Sequence, residues 1–154
     1  VAPAADAAGV PTPALPQATT LQVRTDVLDL SLSLEGGSLI RADLPEYPLH
    51  KDDPATPVRL FDATSADTLY VYQSGLTTGD PGRAEPNHKA LFSAPAREFR
   101  LAEGADELRV PLTWTDGAGL TVTKTYVFRR GSYVVDAVYD VNTASGAPVA
   151  LAQY

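Results

Sequence analysis

Few side chains in this sequence could act directly on a substrate. The two histidines, His50 and His88, each lie in a polar, proline-containing stretch. Imidazoles in such loops are usually solvated, and neither has a second nitrogen ligand at zinc spacing. The chain has no cysteine, which excludes a thiolate nucleophile, a zinc–thiolate site and a disulfide framework. We predict no catalytic, cofactor-binding or metal-binding residue; the alternative is that His50 or His88 acts as an acid or base with a carboxylate.

Three further stretches resemble functional motifs only in part. Asp116–Gly119 lacks the alternating ligands and the final glutamate of a calcium loop, so it is predicted to be a turn. A nucleophile elbow needs a glycine on each side of its serine, and Ser74 does not meet this requirement. Lys124 lies on the apolar face of a predicted strand with no partner in sight to lower its pKa, which disfavours a Schiff-base role. We expect it to reach the sheet rim or to stack on Tyr139.

Aromatic side chains occur at strand spacing. This spacing predicts core packing rather than a sugar-binding platform for five of them: Tyr70, Tyr72, Trp114, Tyr126 and Tyr139. Arg129 and Arg130 fall at a predicted hairpin tip, where exposed charges mostly aid solubility.

The clearest structural signal is a three-stranded antiparallel meander between Glu107 and Asn142. Apolar and polar residues alternate in each strand, with β-branched and aromatic enrichment. The first turn is predicted to place Trp114 opposite Leu120 and Leu112 opposite Val122, through a loop of three residues, Asp116 to Ala118, or of five. A two-residue type II′ turn at Gly131-Ser132 should place Phe128 opposite Val135 and Lys124 opposite Tyr139.

The first half of the chain gives weaker signals. Leu21 to Leu44 predicts a hairpin with a three-residue loop at Gly36–Ser38, which sets Leu34 opposite Ile40 and Leu32 opposite Ala42. The proline-rich stretch Leu44–Pro57 predicts irregular structure, and Thr77–Lys89 a long loop with no apolar anchor. Further strands are predicted at Val58–Asp62, at Thr68–Leu76 and within Pro148–Tyr154.

Together these signals predict an all-β fold, an antiparallel β-sandwich over residues 21–154. Residues 1–20, rich in alanine and proline, are predicted to be a flexible linker. Because alternation is still running at Tyr154, we expect the fold to be incomplete at its C-terminus. Edges left open in this way predict dimers by strand pairing, as an artefact.

Charge and hydropathy restrict the partners. The 12 basic residues are outnumbered by 19 acidic ones, which argues against binding nucleic acid or anionic lipid. No apolar run approaches the roughly 20 residues that span a bilayer. Any membrane tether must therefore lie in segments outside this chain.

Several stretches resemble the large periplasmic domain of the YidC membrane-protein insertase family. They follow the family's order and cover most of the chain after residue 20: VRTDVLDLSLSLEGGSL (Val23–Leu39), LPEYP (Leu44–Pro48), YQSGL (Tyr72–Leu76) and AEGADELRVPLTWTDGAGLTVTKTYVFRRGSYVV (Ala102–Val135). The Ala/Pro-rich start also resembles the family's linker, whereas residues 77–89 match nothing in it. This resemblance implies a supersandwich similar to galactose mutarotase, which extends past Tyr154.

The resemblance also implies a function without catalysis. The family's insertase activity lies in transmembrane helices absent here, and its periplasmic domain is associated with the Sec translocon (SecF/SecD, SecYEG) and with nascent membrane proteins. We expect a chaperone-like docking domain on the periplasmic side of the bacterial inner membrane. The alternatives are a carbohydrate-binding or aldose-epimerase-like domain, and a passive spacer.

Overall fold

The computed structural model of the protein describes residues 19–63 and 69–154, so most of the predicted 1–20 linker and residue Thr68 of a predicted strand lie outside it. Every regular element of any length there is a strand. The strands are β1 (Thr20–Arg24), β2 (Asp29–Ser33), β3 (Ser38–His50), β4 (Asp53–Asp62), β5 (Leu76–Thr77), β6 (Glu98–Arg100), β7 (Glu107–Thr115), β8 (Leu120–Arg129), β9 (Val135–Thr143) and β10 (Ala152–Gln153).

The strands form two main sheets packed as a sandwich, as predicted. One sheet has the order β4-β3-β2-β1-β6 and the other β7-β8-β9, while β10 pairs with β5. All pairs are antiparallel except β1 with β6. The core lies between the inward faces of the two sheets, contributed by alternate residues: Leu21, Val23, Leu30 and Leu32 from one sheet, and Val110, Leu112, Trp114, Val122, Tyr126 and Phe128 from the other.

The meander is present as predicted, but one of its two turns sets a different register. Trp114 lies opposite Val122 and Leu112 opposite Lys124, so the predicted pairing of Trp114 with Leu120 and of Leu112 with Val122 is wrong. Five residues separate the last pair, Thr115 and Thr121, so only the longer of the two predicted loop lengths agrees. The cause is the Asp116 side chain, whose Oδ1 accepts hydrogen bonds from the backbone N–H groups of Ala118 and Leu120 at 2.7 and 2.9 Å. This Asx-type arrangement stabilises the longer loop.

The β8–β9 connection has the predicted register but not the predicted turn. Phe128 lies opposite Val135 and Lys124 opposite Tyr139, as expected. The turn, however, closes one residue earlier, where the Ser132 N–H donates to the Arg129 carbonyl at 3.1 Å. The type II′ prediction is therefore wrong. The amide of Gly131 donates instead to the carboxylate of Asp26, in the loop between β1 and β2, at 2.8 Å.

The β2–β3 hairpin differs from its prediction. Leu32 lies opposite Leu39, and a bulge shifts the register before Leu30 meets Ala42, so the pairing of Leu32 with Ala42 through a Gly36–Ser38 loop is wrong. The reason is that the loop backbone bonds elsewhere. The Leu34 carbonyl accepts from Phe92 at 2.9 Å, and the Gly36 amide donates to the Ala90 carbonyl at 2.7 Å.

The predictions for two further segments are also wrong. Leu44–Pro57 is not irregular, because β3 and β4 continue through it with register shifts near Pro48. Proline is tolerated there because this part of β3 and β4 extends past β2, so each strand pairs on one side only and missing amides leave few ladder bonds unmade. Residues 69–75, the described part of the predicted strand before β5, form only isolated bridges at Tyr70 and Tyr72.

The loop after β5 is anchored, contrary to the prediction for Thr77–Lys89. Pro86 is fully buried. The carboxylate of Glu85 accepts hydrogen bonds from the Thr77 hydroxyl and the Thr78 amide at 3.0 and 2.8 Å. These contacts fix the start and the end of the loop.

An ion-pair network crosses the larger sheet and is centred on Asp43. Its buried carboxylate accepts hydrogen bonds from Arg41 at 2.9 Å and Arg59 at 2.7 Å. Burial raises the pKa of Asp43, but the hydrogen bonds from the two arginines outweigh burial and hold the pKa below its usual value. The ionised carboxylate therefore stabilises the folded sheet.

Replacing Asp43 with asparagine should lower the free energy of unfolding by about 2 kcal/mol at pH 7, because two partly buried guanidinium groups lose their anion. Because the folded pKa is depressed, this contribution is present above the unfolded pKa of about 3.9 and is lost as pH falls through the folded value. Urea unfolding of the wild type and the variant from pH 7 to pH 3 should show the difference shrink. The exposed Asp52→Asn variant is the control; equal effects of the two substitutions would refute the prediction.

Candidate functional site

Lys124 lies on β8 and is fully buried, with 0% of its surface exposed. Its Nζ donates hydrogen bonds to the backbone carbonyls of Gly36, Gly37 and Ser74 at 3.2, 3.0 and 3.1 Å. We call this arrangement the lysine site. The prediction that Lys124 reaches the sheet rim is wrong, because the carbonyls of two inward-facing loops satisfy the ammonium inside the core.

Tyrosines complete the lysine site. The Lys124 ammonium lies 5.1 Å from the ring centre of Tyr126 and 5.7 Å from that of Tyr139, so the predicted contact with Tyr139 is confirmed. The Tyr126 hydroxyl donates to the Gly37 carbonyl at 2.5 Å, and the hydroxyls of Tyr139 and Ser74 are 2.9 Å apart. Ring faces and carbonyl dipoles stabilise the cation where no described carboxylate contacts it.

The lysine site brings together segments that are distant in sequence. Gly36 and Gly37 come from the β2–β3 loop, Ser74 from the segment before β5, and Lys124 from the middle of β8. Gly37 has φ 56°, and an added Cβ would lie 2.8 Å from Leu112 Cδ1 and 3.3 Å from Lys124 Cδ. The site therefore depends on glycine at this position, and it joins the two sheets through polar contacts within an apolar core.

Burial lowers the pKa of Lys124 to about 8. An unfolded lysine titrates near pH 10.4, so between about pH 8 and pH 10.4 the unfolded state binds more protons than the folded state. The free energy of unfolding must therefore rise with pH over this window. Burial also raises the pKa of Tyr126 and of Tyr139. Since unfolded tyrosine ionises near pH 10, the free energy of unfolding should fall above about pH 10.

We therefore expect the free energy of unfolding to be greatest at about pH 9–10, above the start of the rise caused by Lys124 and close to the start of the fall caused by the tyrosines. Urea unfolding at half-unit steps from pH 7 to pH 11 measures this. The rise above pH 8 should be absent from a Lys124→Met variant, which has no ammonium to titrate. A wild-type stability that stays flat or falls between pH 8 and pH 9.5 would contradict the burial of a charged lysine.

A ligand cannot reach the buried lysine site, but a groove lies beside the site on the outer face of the larger sheet. The groove has a volume of about 370 Å³. Ile40, Leu69 and Val71 form an apolar wall, and Glu35 and His88 line it as well. Its size is within the range of small-ligand and peptide sites. Sequence patterns did not bring Glu35 and His88 together, because loop contacts rather than strand alternation place them here.

The two histidines lie in different surroundings. His50 lies opposite Asp53 in the strand pairing at the tip of the β3–β4 hairpin. His88 lies beside the C-terminal residue, where its Nδ1 is 2.8 Å from the Tyr154 hydroxyl and its backbone N–H donates to the same oxygen at 2.9 Å. Only His88 therefore lines the groove.

The five aromatic residues predicted for the core divide into two groups. Trp114 and Tyr126 are buried, and Tyr139 is half-buried against the core. Tyr70 is 69% exposed and Tyr72 40% exposed, so the core prediction is wrong for these two. Both belong to the short segment that forms only isolated bridges, where alternation does not face a second sheet.

The remaining candidate motifs have structural contacts. Asp116 accepts hydrogen bonds within its turn, as described above. Arg129 pairs with Asp136 at 2.6 Å, and the Arg130 side chain donates to the Ala105 and Ala102 carbonyls at 2.8 Å each. Within the described ranges, histidine, aspartate and glutamate do not gather in groups of three or more suited to a metal ion. Residues 19–63 and 69–154 also include no helix long and apolar enough to cross a membrane.

Comparison with known proteins identifies the domain. The family model of the YidC periplasmic domain matches residues 20–154. The membrane protein insertase YidC of Thioalkalivibrio sulfidiphilus (strain HL-EbGR7) is 46% identical over 162 residues, an alignment that covers 99% of this chain and 28% of that protein. The membrane protein insertase YidC of Methylococcus capsulatus (strain ATCC 33009 / NCIMB 11132 / Bath) is 47% identical over 127 residues, covering 81% of this chain and 22% of that protein. The chain thus spans about a quarter of the length of these curated relatives. By its sequence match and its β-sandwich, this chain belongs to the YidC periplasmic domain family.

Proposed function

We propose that this domain is a non-catalytic part of a bacterial inner-membrane insertase, held on the periplasmic side by segments outside this chain. It assists membrane-protein insertion by docking to the Sec translocon, through SecF/SecD or SecYEG, or to emerging substrate segments. Family membership supports the assignment to an insertase. The observation that carries the non-catalytic role is the complete burial of Lys124. Its lowered pKa would suit a nucleophilic lysine, but a substrate cannot contact a side chain that is fully buried.

The outer surface supports docking. Large apolar side chains are exposed on it, including Leu69 at 61% and Leu91 at 66%. A contiguous exposed apolar patch commonly marks a place where another molecule binds, and Leu69 lines one groove together with Ile40 and Val71. The surface therefore offers apolar contacts to a partner.

A pull-down tests this function. The chain, immobilised through its N-terminus, is mixed with the periplasmic domains of SecF and SecD, with SecYEG in detergent, or with an unfolded membrane-protein segment. The complete periplasmic domain of a relative is the positive control. We expect retention of at least one partner. Loss of all partners, with the control still binding, would refute docking by this chain.

One observation favours a second candidate, a sugar-binding or epimerase-like domain. Glu35 and His88 line the same groove, as an acid–base pair would. Against this, no tyrosine or tryptophan of the described residues lines that groove, so a sugar ring would have no aromatic face to stack on. Hexose titration at millimolar concentration and a mutarotation assay, repeated with His88→Ala, decide between the two. Activity lost in that variant would establish the enzymatic function.

Pairing between copies of the chain stays a prediction. The β9 strand is one of the two outer strands of its sheet among the described strands. Asp136 and Asp140 both lie on β9, so antiparallel pairing of two β9 strands about Val138 would set each aspartate opposite the other. Sedimentation velocity over a range of concentrations separates such pairing from binding to a partner.

A further inference from the structure

The groove has an open strand edge along one wall. Tyr70 exchanges backbone hydrogen bonds with Asp62 at 2.9 and 3.1 Å, and Tyr72 does so with Leu39 at 3.0 and 3.1 Å. Val71 lies between them, and its N–H and C=O groups bond to no described residue. In an extended segment alternate residues direct their backbone groups to opposite sides. The Val71 groups therefore face away from β3 and β4, where another strand could pair with them.

The groove side chains also have unused hydrogen-bonding capacity. The Glu35 carboxylate and the Gln73 amide both line the groove, and neither makes a hydrogen bond or ion pair within the described part of the chain. Ile40 and Leu69 provide apolar surface beside them. One anion, one amide and an apolar wall thus line the surface next to an open backbone edge.

The lysine site holds this surface in place from below. Gly36 and Gly37 follow Glu35 in sequence, and Ser74 follows Gln73, so the carbonyls bonded to Lys124 adjoin both polar groove residues. The Glu35 segment is also bridged to Leu91. A surface fixed before binding loses less conformational entropy when a ligand arrives.

We propose that this groove binds an extended polypeptide segment, which pairs with the Val71 backbone, packs apolar side chains on Ile40 and Leu69, and places a basic side chain against Glu35. Strand addition supplies affinity through main-chain hydrogen bonds, and alternate side chains supply selectivity. The inference rests on the proposed function, because it assigns the docking of emerging segments to one surface. Charge complementarity favours a ligand with a basic side chain, because Glu35, which lines the groove and makes no ion pair, is an anion.

A designed peptide tests the proposal. The probe is a blocked heptapeptide, Thr-Val-Thr-Val-Thr-Lys-Thr, whose two valines and lysine share one face when extended. Titration into the isotope-labelled chain, followed by NMR, should shift the amide signals of Glu35, Val71 and Gln73. Methylation of alternate peptide amides should weaken binding about tenfold, because backbone bonds are lost. A Lys→Glu probe should bind more weakly than the parent.

Matched variants of the chain separate charge from general damage. Glu35→Gln should weaken binding of the lysine probe about threefold, whereas Glu103→Gln, an exposed carboxylate outside the groove, should have no effect. Unfolding curves confirm that both variants remain folded. Equal effects of the two variants, unchanged affinity after amide methylation, or a hexose that shifts the same signals would overturn the proposal.

The two experiments distinguish failure of this inference from failure of the proposed function. Peptide-induced shifts confined to β9 would overturn the groove assignment and leave docking to substrate segments intact. Absence of any shift, together with retention of SecF or SecYEG in the pull-down, would overturn the inference alone. Absence of binding in both experiments would refute the proposed function itself.

Discussion

Replacing Lys124 with methionine should lower the free energy of unfolding by about 3 kcal/mol at pH 7. Methionine has a similar length but no donor, so the carbonyls of Gly36, Gly37 and Ser74 lose their shared partner in the core. Removing the cation also removes the cost of burying it. That gain does not offset the loss, because the polar carbonyls remain buried while their donor is gone. Urea unfolding measured by the fluorescence of the single tryptophan, Trp114, gives the value.

The exposed Lys51→Met variant is the matched control, because it makes the same chemical change at a hairpin tip. Its free energy of unfolding should differ from the wild type by less than about 0.5 kcal/mol. If Lys124→Met were equally mild, the carbonyls would have to find other partners, and the lysine site would not organise the interior.

Gly36→Ala should be at least as damaging, lowering the free energy of unfolding by about 3–5 kcal/mol. Gly36 has φ 68°, and an added Cβ would lie 2.3 Å from the backbone oxygen of His88. Neither the backbone angle nor the neighbouring carbonyl can adjust without moving the loop that contacts Lys124. We expect the same urea measurement to show this loss, together with changed NMR signals for His88.

Gly104→Ala separates the two causes of that damage. Gly104 has φ 77°, but an added Cβ there would meet nothing within 4 Å. Its cost should therefore be only the backbone term of about 1–2 kcal/mol. Equal losses for the two glycines would mean that the β2–β3 loop can move away from His88, and that the groove wall is not fixed.

The sequence predicts the three strands of the meander well because apolar and polar residues alternate along each of them, with Lys124 as the exception on the apolar face of β8. β7 spans Glu107–Thr115 as expected, and Phe128 pairs with Val135. Where side chains bond to loop backbones, as Asp116 does, register is decided by contacts that alternation cannot encode. The same holds for the bulged β2–β3 pair, whose loop bonds to Ala90 and Phe92 instead of closing on itself.

The lysine site was only half predictable. Alternation places Lys124 on the inward face of β8 and beside Tyr139. Its partners are backbone carbonyls of two distant segments, and a carbonyl gives no side-chain signal in a sequence. Gly36 and Gly37 carry the one available hint, since adjacent glycines allow the backbone to approach a buried group closely.

The groove could not be predicted at all. Glu35, Val71 and Gln73 come from a loop and from a segment with isolated bridges. Their proximity results from how the β2–β3 loop and the Leu69–Gln73 segment pack around Ser74 and Lys124. The proline-rich ends of β3 and β4 could not be predicted for a related reason, because strands that pair on one side only tolerate residues that a central strand excludes.

The most direct test of the buried lysine is NMR detection of the Lys124 Nζ group as pH is varied. A charged ammonium held by three carbonyls should exchange slowly with water and titrate with a midpoint near pH 8. A rapidly exchanging signal with a midpoint near the usual value of about 10.4 would place the side chain in solvent. That result would contradict a sandwich organised around a buried cation.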